Sequence, residues 1–91
     1  METSLGPDMS SNEYENAQLA ISMLKASVYN LLMQHKATGL RNVEIAKKLG
    51  IRGGVGPHSD IRHYDWISKT ILSIMEREEV VEQIGKHWHL K

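Results

Sequence analysis

GLRNVEIAKKLGI, residues 39–51, is the stretch from which the fold can be read. Asn42 carries a short polar side chain of the kind that accepts a hydrogen bond from the free amides opening a helix. Val43, Ala46 and Leu49 recur at three-residue steps and so share one helical face, with Ile45 beside them. Lys47 and Lys48 precede Gly50, which takes left-handed backbone angles without the Cβ clash other residues meet. The spacing predicts a short helix of about eight residues stopped at Gly50. Its small alanine leaves room for a second helix to cross closely.

Working outward toward the N-terminus, Ile21, Leu24, Val28, Leu31 and Leu32 recur at three- and four-residue intervals. They predict an amphipathic helix over residues 14–35, capped by Ser11 or Asn12 and ended near Gly39 in the loop HKATG. Residues 1–13 contain Gly6, Pro7, several serines and scattered acids, with almost nothing to bury. That composition reads as a disordered tail, which leaves residues 14–91 as one small domain with a modest core.

Toward the C-terminus, Ile61, Tyr64, Ile67, Ile71, Ile74 and Met75 follow helical spacing. This third helix starts either at Ser59, with Asp60 in its first turn, or at Trp66 with Asp65 as the cap. Turning that apolar set inward leaves Arg62, Ser68, Lys69, Leu72, Ser73 and Glu76 facing out. VVEQIGKHWHLK, residues 80–91, then splits at Gly85-Lys86, and glycine first in a two-residue loop suits a type II′ hairpin. Pairing across that turn sets Ile84 opposite His87, Gln83 opposite Trp88, Glu82 opposite His89 and Val81 opposite Leu90. Val81, Trp88 and Leu90 then cover the core, and Glu82, Ile84, His87 and His89 point away from it.

Three helices followed by a C-terminal hairpin resemble the winged-helix superfamily. The resemblance covers about Leu19 to Lys91, with NVEIAKKLGI as the second helix, WISKTILSIMERE within the third and VVEQIGKHWHLK as the wing. It implies an α+β, mainly α domain: a three-helix winged helix-turn-helix with a hairpin wing. RGGVGPHSDIRHYDW, residues 52–66, departs from it, since helices two and three of the family are joined by only a few residues. Counting residues from Ser59 onward as helix reduces the connection to Arg52–His58, where the Gly53 and Gly54 amides offer an anion contact.

The function the resemblance implies is binding of double-stranded nucleic acid, DNA first, with the third helix in the major groove and the wing against the backbone. The total charge is zero, but residues 36–69 hold seven Lys and Arg against three acids, a surplus of four. A local basic face of this kind attracts phosphate despite a neutral total. The contact set expected on these grounds is Arg41, Lys47, Lys48, Arg52, Arg62, Lys69, Ser73, Lys86 and His87. With no outward Asn or Gln on the third helix, binding is expected to be backbone-dominated and weakly selective. The same fold class also serves as a protein-interaction module, for which Leu72, Ile84, Leu19, Met23 and Met33 are the candidate surface.

Other chemistry has little to stand on. There is no cysteine, and His58, His63, His87 and His89 lack the spacing of a zinc site, so neither metal nor cofactor is expected. GGVG lacks the lysine and hydroxyl residue of a nucleotide loop, and no nucleophile motif is present, which points away from an enzyme. No apolar run approaches a membrane span, and the first residues lack a secretory pattern, so a nuclear or cytoplasmic location is expected.

Overall fold

A computed structural model describes residues 6–51 and 65–91, with side chains over 12–51 and 66–91. The order is α1 (Gly6–Gln34), β1 (Leu40–Arg41), α2 (Asn42–Lys48), α3 (Asp65–Arg77), β2 (Val81–Ile84) and β3 (His87–Leu90). The strands form one antiparallel sheet in the order β1-β3-β2. The molecule is thus a small α+β fold, mainly helical.

Every element contributes to one core. Val28 and Leu32 come from α1, Leu40 from β1, Ile45 from α2, Ile71, Leu72 and Met75 from α3, Val81 from β2 and Trp88 from β3. Ile21, Leu24 and Leu31 complete the inward face of α1 as expected, partly buried against that cluster. The hairpin has the register the turn chemistry predicts at all four pairs. Gly85 has φ of 64° and Lys86 is not in the positive region, the type II′ signature. Trp88 is buried and Ile84 exposed, in agreement with the expected faces.

Several features differ from the sequence reading. First, α1 begins at Gly6 rather than near residue 14. A proline at residue 7 is compatible with a first turn, where its missing amide has no intrahelical acceptor. Second, β1 is a two-residue strand with no counterpart in the sequence reading. Leu40 pairs with Trp88 and Arg41 with His87. Third, α3 is turned relative to the expected phase: Ser68, Ile71, Leu72 and Met75 are its buried residues, while Ile67 and Ile74 are half-buried flanks. Leu72 and Ser68, expected outside, lie in the core and beside it.

Ser68 explains how a polar residue occupies that face. Its hydroxyl donates to Asn42 Oδ1 at 2.6 Å where α3 packs on α2. Asn42 is accordingly the first residue of α2 and not its cap. The cap position is Arg41, in extended backbone at φ −78° and ψ 157°. An arginine side chain has no acceptor to offer the helix amides, so the end is secured from the other side: the Arg41 amide donates to Glu44 Oε1 at 2.8 Å. Removing the Ser68 hydroxyl as Ser68→Ala is expected to cost about 1 kcal/mol in a urea unfolding titration. The cost tests whether this link contributes to helix pairing.

The helix ends follow local rules. After α2, the Ile51 amide reaches the Ala46 carbonyl at 2.9 Å around Gly50, whose φ is 74°. After α3, the Val80 amide reaches the Met75 carbonyl at 2.9 Å around Glu79, a non-glycine residue at φ 63°. Lys25 of α1 pairs with Glu78 at 2.9 Å, a partly exposed bridge that adds little.

Candidate nucleic-acid interface

The sequence-selected contact residues fall into three groups. On the sheet, antiparallel pairing sets Arg41 directly opposite His87, and Ile84 pairs with His87 from the other side. Arg41, His87 and Ile84 therefore form a row across the sheet face that points away from the core, and all three are exposed. Lys86 follows in the hairpin turn, also exposed. The row exists because β1 docks on β3.

On α2, Lys47 and Lys48 are exposed and, with Glu44, line a shallow concavity of about 200 Å³. They also lie at the C-terminal end of the helix, where the dipole favours cations, so their charge has a structural use as well. Glu44 is the acid in this neighbourhood. The Arg41 amide bonded to it lowers its carboxyl pKa from the ordinary value, opposed by desolvation and reinforced by the charges of the Arg41 guanidinium and His87. Arg41 Nε lies 3.7 Å from Glu44 Oε1, an exposed i,i+3 pair that restrains the guanidinium only weakly.

On α3, Lys69 is exposed and Ser73 half-buried. The altered phase of this helix brings further residues to the outside. Trp66, 60% exposed, Lys69, Thr70, Ser73 and Arg77 follow i, i+3, i+4, i+7 and i+11 spacing, away from the buried face. The Thr70 hydroxyl donates to the Trp66 carbonyl at 2.8 Å. Trp66, Thr70 and Arg77 were not anticipated. The signal that finds them is the phase: once 68, 71, 72 and 75 are the inward positions, Trp66 falls opposite them.

Arg52 and Arg62 lie outside the described residues. So do Ile61, Tyr64, the Ser59 start of the third helix, and the Gly53 and Gly54 anion contact. Among the described residues, no three His, Asp or Glu side chains converge as metal ligands, and no helix is long and apolar enough to cross a membrane. Comparison with known proteins finds no matching family model, no matching characterised protein and no matching solved structure.

Proposed function

We propose that the chain is a winged-helix nucleic-acid-binding domain that engages duplex DNA with the outward face of α3, helped by α2 and the hairpin turn. The reading is supported above all by the composition of that face. Trp66, Lys69, Thr70, Ser73 and Arg77 combine an aromatic ring, two cations and two hydroxyls on one side of a helix whose other side is core. Lys and Arg reach phosphates and guanine edges, the Ser73 hydroxyl donates to a backbone oxygen, the Thr70 hydroxyl accepts from a base amino group, and an exposed indole packs on sugar or base. Lys47, Lys48, Lys86 and His87 extend the basic surface to neighbouring elements. Binding dominated by phosphate contact is then weakly selective and sensitive to salt. No residue is given a catalytic role.

Titration of a fluorescent duplex tests this directly. With Lys47, Lys48, Lys69, Arg77 and Lys86 each neutralising a phosphate, the logarithm of affinity falls against that of salt with a slope of about −4.5. The triple reversal Lys47→Glu, Lys48→Glu, Lys69→Glu abolishes binding. A chain that fails to bind duplex even at low ionic strength refutes the proposal.

The protein-interaction alternative loses Leu72, which is fully buried, and keeps Leu19, Met23, Met33 and Ile84, which are exposed. A chemical-shift titration with duplex DNA separates the readings. Shifts on α3 and the hairpin turn favour the first, and their absence the second.

A further inference from the structure

We infer that the chain forms a homodimer through α1, with two copies of the helix packed antiparallel. The helix is 29 residues long, about 43 Å at 1.5 Å per residue, and only part of it meets its own core. Residues 12–20 are all exposed. A helical segment of that length draws little stability from propensity alone and normally relies on packing.

The exposed surface of α1 is ordered. Asn16, Leu19, Met23, Ala26, Asn30 and Met33 alternate three- and four-residue steps, all six exposed, with Met23 at 62% and Leu19 at 59%. That is a 3.5-residue period, the spacing of a helix-to-helix seam. At 100° per residue it runs roughly opposite the inward face of Ile21, Leu24, Val28, Leu31 and Leu32. One side of α1 is used by the fold, and the other is an apolar stripe with no partner among the described residues.

A second copy fits this stripe better antiparallel than parallel. With a two-fold axis between Leu24 and Lys25, Met23 meets Ala26, Leu19 meets Asn30, and Met33 meets Asn16 of the second copy. Each layer sets one long apolar side chain against a small or amide one, and none stacks two asparagines. Charge follows the same register. Glu15 flanks one end of the stripe and Lys36 lies just past the other, so antiparallel pairing sets Glu15 near Lys36 of the second copy at both ends. Both are exposed. Parallel pairing instead gathers Glu13 and Glu15 of both copies at one end, with no cation opposite. The two asparagines and the single alanine keep the seam modest, so the dimer is reversible, and each copy's α3 and hairpin lie on the far side of its own core-facing surface.

Sedimentation equilibrium of the full chain, from micromolar to millimolar concentration and without nucleic acid, tests the inference. The expected result is a monomer–dimer equilibrium. Met23→Glu, at an exposed site that leaves the circular dichroism spectrum unchanged, raises the dimer Kd about a hundredfold or more. Glu15→Lys or Lys36→Glu alone weakens the dimer roughly fivefold, and the two together restore it. A chain that stays monomeric throughout, or a dimer indifferent to Met23→Glu, overturns the interface. Loss of affinity in the single charge variants without recovery in the double one overturns the antiparallel pairing.

Discussion

Leu72→Ala lowers the unfolding free energy by about 3 kcal/mol, while Trp66→Ala, six residues earlier on the same helix, changes it by less than about 0.5 kcal/mol. Leu72 is fully buried amid Ile45, Ile71, Met75 and the hairpin residues Val81 and Trp88. Truncating it removes the transfer free energy of three carbons and leaves a void that a core this small closes only in part. Trp66 is the larger side chain, yet it meets mostly water. A residue's size therefore misranks these two positions, and helix phase ranks them correctly. Urea unfolding followed by circular dichroism measures both. Equal losses for the two substitutions would contradict the observed phase of α3. For a domain whose total stability is on the order of 5–10 kcal/mol, the Leu72 loss removes a large share.

Gly39→Ala is expected to cost about 3 kcal/mol, against about 1 kcal/mol each for Gly50→Ala and Gly85→Ala. All three glycines have positive φ, so each substitution meets the same left-handed backbone penalty. Only Gly39 is also crowded. A Cβ there would lie 2.6 Å from the Trp88 carbonyl oxygen and 2.6 Å from His89 Cε1, whereas nothing lies within 4 Å of one at Gly50 or Gly85. The imidazole can swing aside, but the carbonyl belongs to β3, where β1 pairs one residue further on. Relief of the clash therefore pushes β1 away from β3 and loosens the Leu40–Trp88 pair. Thermal unfolding of the three variants distinguishes the two contributions, since the backbone penalty is common to all and the clash belongs to one. Glu79, a side chain already held at φ 63°, shows that the chain bears the penalty alone.

Much of the candidate interface was legible without coordinates. Lys47 and Lys48 follow from the apolar positions around them, and Lys86 and His87 follow from a turn that sets its own register. Trp66 and Arg77 were missed for one reason. Ile67, Ile71, Ile74 and Met75 make one apolar stripe and Ser68, Ile71, Leu72 and Met75 another, about a sixth of a turn apart. Hydrophobicity favours the first, because it contains no polar residue. The second prevails because Asn42 supplies Ser68 with a hydrogen-bond partner, which removes the cost of burying a hydroxyl and lets Leu72 reach the centre.

By itself the sequence determined whatever depends on near neighbours along the chain. The helical periods, the stops at Gly50 and near Gly39, the hairpin at Gly85-Lys86, its four pairs and the burial of Trp88 are all of this kind. They rest on local φ/ψ preference and on side-chain alternation, which need no distant partner. Only the tertiary structure decided the rotation of α3, the existence of β1 and the row of Arg41, His87 and Ile84. A two-residue strand carries no periodicity and exists because β3 offers it hydrogen bonds, and a helix with two plausible apolar faces turns toward the one whose polar member finds a partner. In both cases the deciding free energy belongs to a contact between residues far apart in sequence, so no local pattern records it.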